Sequence, residues 1–306
     1  MHDALPAASA GVHGPLQHWA ARRPAAIALD DGRRQFSFAQ LAQQAESGAR
    51  ALAQRGAASI CWVDDAADWP LANPADMAAP LLQLSRFFAI LSSRRTAAVG
   101  SPDWPPLVRQ RVWQSIAALA PAALPEHRRL HGAADHVAGA GPANGTAVPC
   151  ERLQSLAHAA FYIGFTSGSS GLPKGFRRSH QSWTSSFEIC LQTFGAPARE
   201  TVLVPGPLSH SLFLFGALLG IWTGAGARLL EYFSAATALA ALARGEAGAM
   251  VAVPSQLLLM LEHATRRRLA PMATVRLILI GGAPWTRTRT PALQQLFQQA
   301  RIIEFY

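Results

Sequence analysis

Residues 161–175 read Phe-Tyr-Ile-Gly-Phe-Thr-Ser-Gly-Ser-Ser-Gly-Leu-Pro-Lys-Gly and carry the clearest structural signal in the chain. The apolar residues 161–165 predict a buried strand. Small residues follow at 166–171 and offer hydroxyl groups and unhindered backbone N–H groups. Glycine tolerates positive φ, so consecutive N–H groups can point into one concavity. The stretch therefore predicts a strand followed by a loop that binds an anion such as phosphate.

Lys174 stands at the end of this loop and is the only lysine in the 306 residues, since every other Lys/Arg position is arginine. A flexible ammonium group is a point charge that differs chemically from a guanidinium. We therefore predict that Lys174 lies beside the bound anion. The loop is not a Walker A motif, because that motif requires Gly-Lys-Ser/Thr running into a helix. A flexible Gly/Ser linker is the alternative, and the preceding strand, the Pro-Lys-Gly ending and a helical pattern after the loop disfavour it.

Residues 166–175, which we call the phosphate loop, resemble the signature of the adenylate-forming superfamily. Members of that family activate a carboxylic acid with ATP to an acyl-adenylate, release pyrophosphate and usually pass the acyl group to a thiol. The run at 176–183 is most similar to bacterial acyl-CoA ligases, including long-chain fatty acid–CoA ligases. The resemblance implies Mg²⁺ as a cofactor, coenzyme A as co-substrate and a catalytic role for Lys174. It also implies that ATP is bound by Thr166, Ser167, Gly168, Ser169, Ser170, Gly171, Lys174 and Gly175.

Two further loops follow predicted strands and are grouped with the phosphate loop. The histidine loop (residues 205–210, Pro-Gly-Pro-Leu-Ser-His) follows a strand predicted at 201–204. The glycine loop (residues 281–285, Gly-Gly-Ala-Pro-Trp) follows a strand predicted at 275–280. In open α/β sheets, ligands bind outside the carboxyl ends of the strands. We therefore expect the three loops to surround one site.

The resemblance also implies roles for these loops. His210 would be catalytic and would line the reaction centre, the alternative being a histidine that caps the next helix or lies in the core. The glycine loop would flank the adenine, the alternative being an ordinary strand-to-helix turn, and the role of Trp285 is open. The implied adenylate contacts are Gly281, Gly282, Ala283, Pro284 and Tyr306.

The composition limits the class of protein. The net charge is +9, but the arginines are scattered and no basic stripe with interleaved aromatics occurs, so we expect no nucleic-acid partner. Cys61, Cys150 and Cys190 lie far apart, which predicts neither a zinc site nor a disulfide framework. The N-terminus lacks a secretory pattern, and the apolar run at 212–222 is too short to span a membrane. We expect a soluble cytoplasmic protein.

The order of predicted elements indicates an α/β fold in which parallel sheets are flanked by helices. We expect a mobile N-terminus (1–15), a first α/β lobe (16–145) and a second α/β lobe with the phosphate loop (146–306). Local signals predict several elements sharply, such as a helix over 38–54 capped by Ser37. By resemblance, this is the N-terminal part of the large domain of an adenylate-forming enzyme, truncated before its C-terminal domain.

The chain ends at Tyr306, before the positions at which the family carries a glutamate for Mg²⁺, an aspartate for the ribose and a C-terminal lysine. No metal ligand is therefore assigned, and we expect this chain alone to be inactive.

The leading hypothesis is an acyl-CoA ligase, and the apolar run at 212–215 favours a fatty or other apolar acid. One alternative is a non-catalytic nucleotide-binding module. Another is an adenylation domain for an amino or aryl acid, although no pocket aspartate for a substrate amine is evident. The oligomeric state is not predicted.

Overall fold

The protein was analysed as a computed structural model, which describes residues 11–64, 69, 79–119, 156–166 and 171–305. Its helices are α1 (Gly14–Arg22), α2 (Phe38–Gln54), α3 (Pro80–Ser92), α4 (Pro106–Leu119), α5 (His180–Phe194), α6 (Ser211–Thr223), α7 (Ala235–Ala243), α8 (Pro254–Arg267) and α9 (Thr290–Leu296), with 3-10 helices at Ala196–Arg199 and Arg287–Arg289. Its strands are β1 (Ile27–Asp30), β2 (Gln35–Ser37), β3 (Ile60–Trp62), β4 (Thr96–Ala98), β5 (Ala160–Thr166), β6 (Lys174–Ser179), β7 (Val202–Val204), β8 (Ala227–Leu229), β9 (Ala249–Ala252), β10 (Leu277–Ile280) and β11 (Arg301–Glu304).

The larger sheet has seven strands in the order β11-β10-β9-β7-β8-β1-β2. All neighbouring pairs are parallel except β1 and β2, which form an antiparallel hairpin. The strands β7, β8, β9 and β10 are buried along their whole length. Strands with continuous apolar sequence are typical of a parallel sheet covered on both faces. The α/β class predicted from the sequence is confirmed.

The smaller sheet has four strands in the order β3-β4-β5-β6. The first three are parallel, and β6 pairs antiparallel with β5. Strand β6 was not predicted, because its sequence carries Arg177 and Arg178 and lacks an apolar face. Charged residues are tolerated there because β6 is an edge strand whose arginines are exposed.

Local sequence signals explain the main helices. The hydroxyl of Ser37 accepts a hydrogen bond from the backbone N–H of Gln40 at 3.2 Å, and Oε1 of Gln40 accepts one from the backbone N–H of Ser37 at 2.9 Å. This capping box starts α2 at the predicted residue. Helix α6 is buried from Phe213 to Thr223 and ends at Gly224, whose left-handed φ of 76° favours glycine. A helix that is apolar all round belongs in a core.

Helix α6 is therefore a core helix, and none of the described helices is both long and apolar enough to span a membrane. Its Phe215 ring lies 5.5 Å from the ring of Trp183 on α5, which in turn lies 5.5 Å from Tyr162 on β5. Phe215 also lies 5.7 Å from Phe305, directly after β11. These rings form one continuous apolar core between the two sheets.

The N-terminal segment differs from the expectation. Residues 11–15 were expected to be mobile, whereas Val12 is 2% exposed and its backbone N–H donates to Nδ1 of His180 at 3.0 Å. Residues 1–10 lie outside the described residues. The division into lobes at 145–146 also falls outside them and stays a prediction. The sheets do not follow chain order, since the β1–β2 hairpin joins the larger sheet and β5 and β6 join the smaller one.

Candidate functional site

The phosphate loop connects two paired strands. Thr166, the last residue of β5, lies directly opposite Lys174, the first residue of β6. Directly opposed residues of an antiparallel pair have Cβ atoms about 5 Å apart. Both side chains are exposed. The hairpin therefore presents a hydroxyl group and an ammonium group together at the base of the loop.

The loop tip is only partly described. Ser167, Gly168, Ser169 and Ser170, together with Tyr306, lie outside the described residues. Gly171 has a φ of 79° and open space around its Cα, which suits a turn that no side chain obstructs. The helix after the loop begins where the sequence predicts it, with Ser179 as its N-cap. Strand β6 separates the loop from α5, so Lys174 and Gly175 are exposed strand residues.

The hairpin beneath the loop is tightly packed. A side chain at Gly164 would overlap the hydroxyl of Tyr162 and the ring of Phe176, so a glycine is required there. The ring of Phe165, next to Thr166, stacks on the indole of Trp62 with centroids 5.4 Å apart and planes 6° apart. Burial raises the pKa of the Tyr162 phenol, which stays protonated. The base of the loop is thus anchored by aromatic contacts.

The histidine loop ends at the N-terminus of α6. His210 occupies the N-cap position with φ −90° and ψ 123°, and its side chain makes no capping hydrogen bond. Its backbone carbonyl accepts from Phe213 N at 3.0 Å, while its imidazole is exposed. The alternatives of a capping or core histidine are therefore wrong. The imidazole is available to a ligand at this edge of the sheet.

The glycine loop follows β10 and is shaped by the absence of side chains. A Cβ on Gly281 would come within 3.2 Å of Leu212 Cδ1 and 3.4 Å of the Phe305 carbonyl oxygen. Gly282 has a φ of 83°, a left-handed conformation that favours glycine. Gly282, Ala283 and Pro284 are exposed. The loop therefore presents a stretch of backbone with little side-chain bulk.

Trp285 points away from this open surface. Its side chain is 7% exposed, and its Nε1–H donates to Oγ1 of Thr290 at 2.9 Å. Its backbone N–H donates to Oε1 of Glu304 at 2.9 Å. The indole packs in the apolar cluster on the far side of the larger sheet, with Leu293 and Leu296. Trp285 therefore supports the glycine loop and does not line a pocket.

The structure brings the histidine and glycine loops together. Both follow strands of the larger sheet, β7 and β10, which are separated only by β9 and run parallel. Leu212 packs against Gly281, and Nε2 of Gln256 on α8 donates to the Pro205 carbonyl at 2.7 Å. Sequence reasoning missed Leu212, Phe305 and Gln256 as supporting residues. Their only signal was their position beside the predicted strand ends.

These residues fit a phosphate-bearing nucleotide. Thr166 and Lys174 offer a hydroxyl donor and a positive charge, and the glycine loop leaves backbone open to a planar base. The fit to Mg²⁺ is different, because the part of the chain that is described contains no group of three His, Cys, Asp or Glu residues placed to hold a metal. The described residues are thus compatible with a nucleotide, and no metal ligand is assigned among them.

The fold is an α/β fold in which the histidine and glycine loops lie at the carboxyl ends of parallel strands, the usual position of ligands in such sheets. The AMP-binding enzyme family matches residues 105–306, which is most of the chain. The chain belongs to this family.

Among curated relatives, the uncharacterized acyl-CoA ligase YhfT of Bacillus subtilis is 36% identical over 146 residues, covering 48% of this chain and 29% of that protein. The chloroplastic/peroxisomal 2-succinylbenzoate–CoA ligase of Arabidopsis thaliana is 30% identical over 148 residues, covering 48% of this chain and 26% of that protein. The matched part of the chain thus spans less than a third of the length of these relatives.

Solved structures show the same fold. The N-terminal domain of FACL13 from Mycobacterium tuberculosis superposes with a TM-score of 0.67 at 17% identity, covering 97% of this chain and 75% of that chain. The anthranilate CoA ligase AuaEII, solved with anthranoyl-AMP, superposes with a TM-score of 0.68 at 13% identity, covering 96% of this chain and 58% of that chain. At these identities the likeness concerns the fold alone.

Proposed function

We propose that the protein containing this chain activates a carboxylic acid with ATP through an acyl-adenylate and passes the acyl group to coenzyme A. The observation that carries the proposal is the pairing of Thr166 with Lys174 at the base of the phosphate loop, in a member of the AMP-binding enzyme family. The names of the two curated relatives, both CoA ligases, support it. ATP and coenzyme A are metabolites of the cytoplasm, and the proposal includes that location.

Lys174 would neutralise charge during the first step. A carboxylate that attacks the α-phosphate of ATP brings two anions together, so the reaction needs positive charge and fixed hydrogen-bond donors. Lys174 supplies the charge, and the hydroxyl of Thr166 supplies a donor from the opposite strand. Ser167, Gly168, Ser169, Ser170, Gly171 and Gly175 complete the proposed phosphate contacts. A bound Mg²⁺ would supply further neutralisation of the phosphates.

The other two loops would hold the adenylate and the acid. The open backbone at 281–284 would lie against the adenine, with Tyr306 on the same base. The exposed imidazole of His210 would donate a hydrogen bond to the carboxylate and hold it for attack. The roles of His210, Gly282, Ala283 and Pro284 are supported by their exposure at the carboxyl edge of the larger sheet.

The acid is proposed to be apolar. Leu212 lies beside Gly281, and Phe215 follows on the same helix with its ring 5.7 Å from Phe305. An acyl chain entering beside His210 would meet these apolar side chains and bury its methylene groups against them. Because Trp285 is turned away from this edge, its indole does not occupy the space available to the acid.

Acid-dependent exchange of pyrophosphate into ATP tests the proposal, measured on the full-length protein with a series of straight-chain fatty acids, aryl acids and amino acids. We expect exchange that requires an acid and is fastest with an apolar one. Thermal stabilisation by ATP without exchange on any acid would contradict the proposal and indicate a non-catalytic nucleotide-binding module. Fastest exchange with an amino or aryl acid would contradict the proposed acid class alone.

A further inference from the structure

A cavity lies at the carboxyl edge of the smaller sheet. Its volume is about 490 Å³, within the range of small-molecule sites. It lies beyond the ends of β3 and β4 and is closed on one side by α4. The residues that shape it are Trp62, Asp64, Trp104, Arg109, Gln110 and Trp113. None of them belongs to the three loops assigned to ATP.

The indole rings of Trp62, Trp104 and Trp113 line this cavity, which we call the tryptophan cavity. The ring of Trp62 lies 6.4 Å from Trp104 in an edge-on arrangement and 5.6 Å from Trp113. Phe165 stacks on Trp62 and meets Trp104 edge-on at 5.0 Å. Aromatic faces at these spacings favour a further planar ring that packs edge-on or offset against them.

A carboxylate lies among these rings. Oδ1 of Asp64 accepts a hydrogen bond from Nε2 of Gln83 at 3.0 Å. Oδ2 is shielded from solvent and, within the described part of the chain, accepts no hydrogen bond. A buried acceptor without a donor is costly, so a ligand that supplies a donor gains binding energy. Asp64 lines the cavity, and its Oδ2 reaches a ligand there through rotation about the soft terminal torsion of the side chain.

The surrounding charges select the kind of donor. Burial raises the pKa of Asp64 to about 6. The hydrogen bond from Gln83 and the nearby charges of Arg86 and Arg109 lower this pKa, but burial has the larger effect. Two guanidinium groups already act on this carboxyl group, and Arg109 also lines the cavity. A cationic ligand would meet that positive charge, and an anionic one would meet Asp64. A neutral N–H group avoids both penalties.

We propose that the tryptophan cavity binds a neutral planar aromatic molecule that carries an N–H donor on its edge. The ring lies among Trp62, Trp104 and Trp113, and the N–H group donates to Oδ2 of Asp64. Heterocycles of one or two rings meet this description. The inference does not depend on the proposed acid-activating function, because it rests on residues of β3, β4 and α4 and the loops that follow the two strands.

Calorimetric titration of the purified protein with benzimidazole and with 1-methylbenzimidazole tests the proposal. The two probes share a ring system and are neutral at pH 7.5, but only the first carries an N–H group. We expect benzimidazole to bind about tenfold more tightly, as for one hydrogen bond to a buried carboxylate. Equal affinities, or no binding of benzimidazole at millimolar concentration, would overturn the proposal.

Two variants locate the binding. In Asp64→Asn, the amide oxygen can keep the hydrogen bond from Gln83. The amide NH₂ group then takes the place of Oδ2 and faces the ligand N–H, donor to donor. The preference for benzimidazole over 1-methylbenzimidazole should therefore disappear. Trp104→Ala should weaken both probes about fivefold through the loss of one ring contact. The control for Asp64→Asn is Asp103→Asn, an exposed aspartate next to Trp104. The control for Trp104→Ala is Tyr232→Ala, an aromatic residue that is 76% exposed. Unchanged binding in both cavity variants, or an equal loss in the controls, would place the probe elsewhere and overturn the proposal.

Discussion

The two sheets hold their loops in different ways. In the larger sheet, the histidine and glycine loops leave fully buried strands and touch each other through Leu212 and Gly281. In the smaller sheet, the phosphate loop leaves an edge hairpin whose β6 residues are mostly exposed. Core packing therefore fixes the wall proposed for the adenine, whereas the described base of the phosphate loop lies on an exposed edge hairpin. Substitutions in the first region should change stability, and substitutions in the second should change binding.

Among substitutions, the largest change in stability is expected for Arg228→Ala in the larger sheet. The Arg228 side chain is 8% exposed, and its Nε donates to Oε2 of Glu246 at 2.8 Å, while Nη1 lies 3.6 Å from Oδ1 of Asp30 on β1. Removing it takes the guanidinium away from the partly buried carboxylate of Asp30 and leaves Glu246 with its exposed partner Arg244. We expect the free energy of unfolding to fall by about 3 kcal/mol, measured by urea denaturation.

The control is Arg244→Ala, an exposed partner of the same Glu246. We expect this variant to unfold within about 0.5 kcal/mol of wild type, because an exposed ion pair contributes little. Equal losses in Arg228→Ala and Arg244→Ala would show that burial does not matter to this network.

Acid should destabilise the contact of the N-terminal segment with the smaller sheet. Burial lowers the pKa of His13 to about 4, helped by the charge of Arg94, and burial lowers the pKa of His180 to about 3, helped by His13. Both are neutral when folded, so the unfolded chain binds more protons below pH 6.5 and stability falls as pH drops towards 4. From pH 7 to pH 5, we expect a loss on the order of 2 kcal/mol for each of the two histidines.

Urea denaturation at pH 7 and pH 5 measures this loss. The variant His13→Gln should lose less stability than wild type over that interval, because one neutral buried imidazole is gone. The exposed His158 supplies the control, and His158→Gln should keep the full acid sensitivity. An equal pH dependence in His13→Gln and wild type would rule out the buried histidine pair as the cause.

A smaller effect is expected at the glycine loop. In Gly281→Ala, the new methyl group presses on Leu212, a side chain that can shift, and contacts the Phe305 carbonyl oxygen. We expect a loss of about 1 kcal/mol in the free energy of unfolding and weaker ATP binding, measured by denaturation and calorimetry. The control is Ala292→Ser, an exposed position on α9 outside the three loops, which should bind ATP like wild type. Unchanged ATP binding in Gly281→Ala would argue against the adenine wall.

The sequence predicted the elements with strong local signals. Ser37 marks a helix start that the structure reproduces. Strand β6 was missed because its identity comes from pairing with β5, and its exposed arginines hide that pairing. Likewise, the β1–β2 hairpin joins the larger sheet because β1 pairs with β8, which is distant in sequence, and no local pattern reports that pairing.

The candidate site was predictable in part. Strand ends placed the histidine and glycine loops at one edge, and the structure puts them in contact. The inward direction of Trp285 and its hydrogen bonds to Glu304 and Thr290 depend on tertiary packing, so the sequence left the role of Trp285 open. The tryptophan cavity was missed because its rings come from separate elements that only the sheet brings together.

Substitution of Lys174 by alanine tests the central claim most directly. Lys174 is exposed, so we expect no change in the free energy of unfolding beyond about 0.5 kcal/mol. Removing the charge that neutralises the phosphates should lower kcat/KM for ATP about 100-fold or more in acid-dependent pyrophosphate exchange by the full-length protein. Arg177→Ala, an exposed cation on the same strand, should keep wild-type kinetics. Unchanged ATP kinetics in Lys174→Ala, or an equal loss in Arg177→Ala, would contradict the assignment of residues 166–175 as the phosphate loop.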